Sequence, residues 1–534
     1  MSGINGVYSI DRKFKGKDLI ERLYSAANSE QLRGEAGAGI TMIDSFGEMK
    51  TEKGLGLLTQ AIDPDTIYKI TNPEVFAAIN QNRYSREDIP SIVNTQPIDI
   101  ETDHYQAAIA ADSKIVGWEE EINTWFVHEK ERRTKTGAEV FGRLFLNELE
   151  NANGDFKEAG EKFFYRMNGK GLYSILMLLK EKDKKHTYMI AIRDPHAGLP
   201  FHYAQKDETL FLSSGTYPME QSRIDFKDIK EVPRGSMMII SENGVETTKY
   251  KKDKIMTCVF ERIYFGCPED RVLTPLGEKF DTLFEEYYKA MLYNPKFKKT
   301  PSNFMIRNLL GACMAERHPE LTNELDILVP IVDTGKGVTY GLSKALGIPY
   351  IEALLKRLST RSFQISDQEF RKMVVDLKTS GLAEFINGKR IGAGDDSVVK
   401  GGVGGYYSKK RGVLGLLEML GADSIHMLIS YSAMPFPSIR GFTPYHRREK
   451  MAAEGLCYMP TKKQEKIVGD KMGKGIKVPV KLRYQLPEDT RAIFGPDHCF
   501  ACMDGIYPVD DKYIPDWVKA QRDMSYARAN KKWV

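Results

Sequence analysis

Long apolar runs are missing from this 534-residue sequence: no stretch approaches the roughly 18 apolar residues that a helix needs to cross a bilayer. The N-terminus also lacks the order of basic and then apolar residues that marks a signal peptide. Positive and negative residues nearly balance, with a net charge of +4. The basic clusters KEKDKKH and KYKKDK contain acids or tyrosine, which is typical of solvated loops. We therefore expect a cytoplasmic protein that binds neither membranes nor nucleic acid.

Cysteine is also scarce, with six residues in the whole chain. So few thiols, without a secretion signal, argue against a disulfide framework. Cys499 and Cys502 form a single CxxC pair in HCFAC, and the other four cysteines are scattered. A lone CxxC pair fits either a metal site or reduced thiols in a turn, and its spacing does not choose between them.

The chain is long enough for two or three domains with separate cores, and 42% of its residues are hydrophobic. In the first 250 residues, strand-like runs such as GITMID, YMIAIRDP and TLFLSSG alternate with helical stretches such as GKDLIERLYSAANSEQL. This mixture predicts an α+β domain with antiparallel sheets. Beyond residue 270, apolar runs alternate with helices, which predicts an α/β domain built on a parallel sheet.

Two turns in the second half combine glycine with acidic residues. VDTGKG (332–337) follows the apolar run LDILVPI, and DDSVVKGG (395–402) follows KRIGAG. Ligands of parallel sheets bind at the carboxyl ends of the strands, so both turns are predicted at the same edge. Glycines let backbone amides crowd around an anion, while Asp395 and Asp396 suit sugar hydroxyls or a divalent cation. A phosphorylated sugar with a metal ion would satisfy both requirements.

Ten segments occur in the same order as in the glutamine phosphoribosylpyrophosphate amidotransferase (amidophosphoribosyltransferase) family, which the chain resembles along nearly its whole length. They are SGINGVY, LRGEAGAGI, NRYS, RDPHAGLPF, VPRGSMMII, CVFERIYFGCPED, VPIVDTGKG, GIPYIEALLKR, DDSVVKGG and CFACMDGIYP. The resemblance implies an α+β sandwich of the N-terminal-nucleophile, class II glutaminase type, followed by an α/β type I phosphoribosyltransferase domain. We expect these domains at 1–265 and 266–460, with a C-terminal extension at 461–534 that carries the CxxC pair.

The same resemblance implies an activity. Family members release ammonia from glutamine in the first domain and use it in the second to displace pyrophosphate from phosphoribosyl pyrophosphate, a step of purine biosynthesis. A magnesium ion and a homo-oligomeric assembly are also implied.

Site residues of the second domain follow from the matched motifs. Asp395, Asp396 and Thr334 match positions that contact magnesium, and the two aspartates also match those that bind the ribose diol. The resemblance adds further candidates for binding phosphoribosyl pyrophosphate: Asp333, Gly335, Lys356, Arg361, Lys378, Ser397, Lys400, Gly401 and Gly402. For the lysines and the arginine, the alternative is an ordinary solvated charge.

The phosphate loop departs from the family pattern, which reads roughly VDDSIVRGTT. Lys400 replaces an arginine, and Gly402 and Val403 replace two threonines. The loss of two hydroxyl donors could cost on the order of 1–3 kcal/mol. The glycines of RIGAG are also expected to weaken the preceding strand. Two alternatives therefore remain open: the loop binds another ligand, or it binds the usual ligand more weakly.

The first domain departs further. The family nucleophile is a cysteine, exposed when Met1 is removed, whereas this chain has Ser2, a far weaker nucleophile. Arg83 matches the arginine for the glutamine carboxylate, but Asp112 and Ser113 align with the Asn and Gly of the oxyanion hole. A carboxylate there would repel the developing negative charge. A Cys-to-Ser replacement would explain Ser2 but not Asp112 and Ser113. We therefore expect a glutaminase fold without ordinary glutaminase activity.

Some family members hold an iron–sulfur cluster with four cysteines. Cys258, Cys499 and Cys502 match three of these, the fourth position near Arg440 has no cysteine, and Cys457 could substitute if its loop folds back. Four thiolates suit either a [4Fe–4S] cluster or zinc. The alternative is a site that has lost its metal and keeps three buried thiols.

Two functions therefore remain open. The first is a phosphoribosyltransferase that uses free ammonia, or another amine delivered by a partner, in place of glutamine. The second is a catalytically silent relative that binds nucleotides or a partner subunit as a scaffold. The acidic pair, Thr334 and Lys378 favour the first, while the glycine-rich strand and the lost threonines favour the second.

Overall fold

The computed structural model describes residues 2–85, 90–116, 133–134, 136–184, 186–357, 379–399, 412–439, 451–457 and 459–530. The chain forms two compact units. The first comprises Met1–Thr257, Glu269–Leu273 and Pro508–Tyr513, and the second comprises Cys258–Pro268, Thr274–Tyr507 and Ile514–Val534. Within the described ranges, no helix has both the length and the apolar character needed to cross a bilayer.

The first unit is built on two antiparallel sheets. Its strands are β1 (Gly3–Ser9), β2 (Gly37–Asp44), β3 (Met49–Leu55), β4 (Val75–Arg83), β5 (Ile98–Glu101), β6 (Tyr105–Ile115), β7 (Gly171–Glu181), β8 (Thr187–Arg193), β9 (His202–Lys206), β10 (Thr209–Ser213), β11 (Lys230–Glu231), β12 (Ser236–Ser241) and β13 (Gly244–Lys249). Seven strands pair in the order β11-β9-β10-β1-β4-β2-β3, and six pair in the order β13-β12-β8-β7-β6-β5. Ile4 and Ile79 from the larger sheet pack with Leu176 and Met238 from the smaller one, so the two sheets share a core.

Helices cover the outer faces of this sandwich. They are α1 (Lys17–Ser29), α2 (Leu58–Ala61), α3 (Pro64–Ile70), α4 (Gly137–Asn151), α5 (Phe156–Arg166) and α6 (Tyr217–Gln221). Leu19 and Leu23 recur at helical spacing in α1 and pack on the seven-stranded sheet. Phe141 of α4 and Phe163 of α5 pack on the six-stranded sheet. The predicted α+β sandwich is confirmed.

The second unit centres on a parallel sheet. Its strands are β14 (Thr257–Cys258), β15 (Ile327–Pro330), β16 (Leu354–Lys356), β17 (Thr379–Gly381), β18 (Arg390–Asp395), β19 (Ser424–Ile429), β20 (Val480–Tyr484) and β21 (His498–Cys499). Four of them pair in parallel in the order β15-β18-β19-β20. Two small sheets join β14 with β21 and β16 with β17.

Helices lie on both faces of the parallel sheet. The helices of this unit are α7 (Glu278–Tyr287), α8 (Asn303–Arg317), α9 (Leu321–Glu324), α10 (Lys336–Leu346), α11 (Ala383–Ile386), α12 (Gly412–Met419), α13 (Thr461–Met472), α14 (Pro487–Phe494), α15 (Ala501–Asp504) and α16 (Asp516–Asn530). Leu417 of α12 and Val468 of α13 pack with Val329 on one face, and Leu342 of α10 packs with Leu328 and Leu428 on the other. Burial on both faces explains the nearly continuous apolar strands, and the predicted α/β domain is confirmed.

The glycine-rich strand β18 lies inside the sheet and pairs along its length with β15 and β19. A Cβ at Gly392 would lie 2.5 Å from Leu328 Cδ2, and a Cβ at Gly394 would lie 2.1 Å from Thr339 Oγ1. The two glycines therefore make room for neighbouring side chains. Packing offsets the weakening that these residues would cause in an exposed strand.

We expect Gly394→Ala to destabilise the protein by about 1–3 kcal/mol, because the added methyl group overpacks the contact with α10. Denaturant unfolding followed by circular dichroism would measure this loss. Thr339→Ala removes the nearest atom, so the double variant should recover part of the loss. Full stability of Gly394→Ala alone would show that this close contact is absent.

Candidate functional site

Two turns meet at the carboxyl edge of the parallel sheet. We call residues 331–335, which follow β15, the glycine turn, and residues 395–399, at the end of β18, the carboxylate turn. The Ile331 amide donates to the Gly394 carbonyl at 2.9 Å, and a Cβ at Gly335 would lie 2.1 Å from that same oxygen. This close approach allows the Thr334 hydroxyl to hydrogen-bond with Asp396.

The carboxylates of the second turn are buried: Asp395 is 6% exposed and Asp396 is 3% exposed. The Asp396 amide donates to Asp395 Oδ1 at 2.9 Å, and the Ser397 hydroxyl donates to Asp396 Oδ1. Burial raises the pKa of Asp396, and the hydrogen bonds from Ser397 and Thr334 act against that rise. The turn thus holds two carboxyl groups in fixed positions with little access to water.

The neighbouring strand fixes the backbone of the carboxylate turn. Directly after β19, the Ser430 amide donates to the Asp395 carbonyl and the Tyr431 amide donates to the Asp396 carbonyl, each at 3.0 Å. The two aspartates therefore cannot shift without disturbing the end of β19.

Arg307 is a charged residue near this site that the sequence analysis did not single out. It lies on α8 and is 3% exposed, with Nε donating to the Arg262 carbonyl at 3.1 Å and Nη2 to the Gly266 carbonyl at 2.8 Å. Its positive charge lowers the pKa of Asp396, against the effect of burial. A lone charged residue in the mostly apolar stretch FMIRNLLGA was the available signal.

Lysines flank the glycine turn. Lys356 Nζ lies 2.5 Å from Asp333 Oδ2, and Lys336 Nζ lies 2.9 Å from Glu352 Oε2. The structure thus places Lys356, predicted from the sequence, beside the turn. Five other predicted residues lie outside the described part of the chain: Arg361, Lys378, Lys400, Gly401 and Gly402.

The first unit brings Ser2 and Asp112 together. The Ser2 amide donates to Asp112 Oδ1 at 3.1 Å, and the Tyr84 amide donates to Ser2 Oγ at 3.4 Å. Arg83, next in the chain to Tyr84, is 5% exposed and donates from Nη1 to the Ser91 carbonyl at 3.2 Å. A carboxylate therefore lies beside the residue at the nucleophile position.

The cysteines form no four-thiol site. Cys258 and Cys499 are close enough to Cys502 to add to the rise in its pKa, which burial causes in the first place. The Cys457 sulfur instead lies 3.7 Å from the Gln521 carbonyl of α16. Among the described residues, no group of three or more His, Cys, Asp or Glu side chains is placed to hold a metal ion. The structure thus gives no support to the predicted iron–sulfur or zinc site, because the loop with Cys457 packs on α16.

Comparison with known proteins gives relatives over nearly the whole chain, although no family model matches it. The amidophosphoribosyltransferase of Methanocaldococcus jannaschii is 25% identical over 527 residues, which cover 96% of this chain and 98% of the relative. That of Pyrococcus horikoshii is 26% identical over 452 residues, or 84% of this chain and 86% of the relative. The Synechococcus elongatus enzyme is 26% identical over 515 residues, or 95% of this chain and 92% of the relative.

Two solved structures share the fold. Glutamine phosphoribosylpyrophosphate amidotransferase from B. subtilis, complexed with ADP and GMP, matches with a TM-score of 0.72 and 20% identity, over 95% of this chain and 97% of that one. The allosteric regulatory enzyme of purine biosynthesis matches with a TM-score of 0.70 and 20% identity, over 97% and 98%. The similarity covers both units, so the chain resembles the amidophosphoribosyltransferases over nearly its whole length and shares the fold of these two solved structures.

Proposed function

We propose that the protein is an amidophosphoribosyltransferase-like enzyme that transfers the phosphoribosyl group of phosphoribosyl pyrophosphate to ammonia or to another amine. The observation that carries this proposal is the buried pair Asp395 and Asp396 at the carboxyl edge of the parallel sheet, with Thr334 beside Asp396. Such edges are where sheets of this kind bind ligands. A scaffold alone has no need of two adjacent carboxylates beside a phosphate-type loop, because burying charge is costly.

The carboxylate turn fits the ribose. Carboxylate oxygens accept hydrogen bonds from vicinal hydroxyl groups, and the hydrogen bonds to Ser430 and Tyr431 keep the turn in position. Fixed acceptors hold the sugar so that its anomeric carbon is presented to the amine in one orientation. They also stabilise the positive charge that develops on the ring as pyrophosphate departs.

The resemblance implies a magnesium ion, and the side chains of the two turns are suitable ligands for it. Asp395, Asp396 and Thr334 offer hard oxygen ligands of the type that magnesium prefers, and the negative charge of the buried pair suits a cation. These three residues would hold it together with the substrate. When bound, magnesium offsets the negative charge of the leaving pyrophosphate.

The glycine turn fits the pyrophosphate. Gly335 is the N-cap residue that directly precedes α10, so the amides of the first helical turn point toward the glycine turn and favour an anion there. Lys356, paired with Asp333 at the rim, offers an ammonium group to the anion. We extend the proposal to Ser397 and residues 400–402, which would bind the 5′-phosphate.

We propose further that the first unit is not an ordinary glutaminase. Acyl transfer from glutamine needs donors for a developing oxyanion, and loss of one such donor typically costs about 100- to 1000-fold. Here the Asp112 carboxylate lies 3.1 Å from the Ser2 nitrogen and adds negative charge instead. The amine would then come from solution, as ammonia, or from a partner protein.

Titration calorimetry with phosphoribosyl pyrophosphate tests the transferase proposal. We expect magnesium-dependent binding to the parent protein, and at least about tenfold weaker binding to Asp396→Asn, because that variant loses a charged hydrogen-bond acceptor. Asp423→Asn is the matched control, since Asp423 is exposed and precedes β19 at the opposite edge. No heat from the parent protein at millimolar ligand would contradict the proposal and favour the scaffold alternative.

A second test concerns the first unit. We expect Ser2→Cys alone to release no ammonia from glutamine, because Asp112 still repels the oxyanion. Adding Asp112→Asn and Ser113→Gly should begin to restore release. The measurement is ammonia production by protein whose N-terminal residue is confirmed by intact mass.

A control for this test is labelling of the new cysteine by a thiol-directed glutamine analogue. If Ser2→Cys alone both reacted with the analogue and produced ammonia, the account of Asp112 would be wrong. The first unit would then have to be regarded as a working glutaminase that lacks only its thiol.

A further inference from the structure

Four charged side chains surround the glycine turn in two ion pairs. Lys356 pairs with Asp333 at 2.5 Å, and Lys336 pairs with Glu352 at 2.9 Å. The Tyr350 hydroxyl donates to the other oxygen of Glu352 at 3.0 Å. The two positive and two negative charges cancel, so the rim of the turn is neutral as it stands.

Lys336 has a position that suits a ligand. It is the first residue of α10 and directly follows Gly335 of the glycine turn. Its side chain is 36% exposed and that of Glu352 is 47% exposed, so solvent and ligands reach the pair. Exposed ion pairs of this kind contribute little to stability, so the fold does not depend on Lys336 keeping its partner.

We propose that Lys336 is a pyrophosphate-binding residue of this chain. Its ammonium group pairs with Glu352 in the absence of ligand, and it pairs with the pyrophosphate group when that group enters the glycine turn. This inference depends on the proposed function, which places pyrophosphate at the turn. The sequence analysis assigned Lys356 to the substrate but gave Lys336 no role.

The charges of the two possible partners favour the move of the Lys336 ammonium group from Glu352 to pyrophosphate. A pyrophosphate group carries more negative charge than the single Glu352 carboxylate, and the flexible stem of lysine lets its ammonium group change partners. Lys336 and Lys356 would then approach the leaving group from two sides of the turn. Glu352 competes with the ligand for Lys336, so its removal should strengthen binding.

Calorimetric titration of the full-length protein with inorganic pyrophosphate and magnesium tests the inference. We expect Lys336→Met to bind about tenfold more weakly, because a charge-assisted hydrogen bond is lost. Glu352→Gln should bind more tightly than the parent protein. Lys344→Met is the matched control: Lys344 lies on the same helix with its Nζ 5.5 Å from the Tyr340 ring centroid, and its replacement should change nothing.

Several outcomes would overturn the inference: equal binding by Lys336→Met and Lys344→Met, weaker binding by Glu352→Gln, or no pyrophosphate binding by the parent protein. Parallel titrations with phosphoribosyl pyrophosphate separate this inference from the proposed function. Binding of pyrophosphate but not of phosphoribosyl pyrophosphate would reject the transferase proposal while Lys336 kept its role. Binding of both by the parent, with no effect of Lys336→Met, would reject only the role of Lys336.

Discussion

The second unit depends on the close approach of Gly335 to the Gly394 carbonyl. No side chain fits between them, since a Cβ at Gly335 would lie 2.1 Å from that oxygen. The contact joins the glycine turn to the end of β18 and so lets Thr334 reach Asp396. Similar close contacts hold α10 on α8, where a Cβ at Gly341 would lie 1.9 Å from the Asn308 carbonyl. Backbone packing through glycine therefore places the chemical groups of the site.

The two units differ in different ways from the amidophosphoribosyltransferases that the chain resembles. In the second unit the carboxylate pair is present, buried and hydrogen-bonded, so the part that would hold the sugar is kept. In the first unit a sandwich core is complete, yet Ser2 stands at the nucleophile position with the Asp112 carboxylate 3.1 Å from its nitrogen. Retention of one site beside alteration of the other fits a transferase that no longer obtains its ammonia from glutamine.

Much of the fold could be predicted from the sequence, because apolar periodicity and turn residues are local signals. The strands in GITMID and TLFLSSG and the placement of both turns at one sheet edge follow from such signals. The roles of Gly392 and Gly394 could not be predicted, because they depend on Leu328 and Thr339, which meet the strand only after folding. For the same reason the sequence did not show that Arg307 lies near Asp396, or that the Cys457 loop packs on α16.

We propose that this protein makes a bond between phosphoribose and an amine without using glutamine. The most direct measurement is pyrophosphate release from phosphoribosyl pyrophosphate with magnesium, compared between ammonium and glutamine at equal concentration. We expect pyrophosphate release with ammonium that Asp396→Asn abolishes, and no release above background with glutamine. Release with glutamine as efficient as with ammonium, or no release with either amine source, would contradict it.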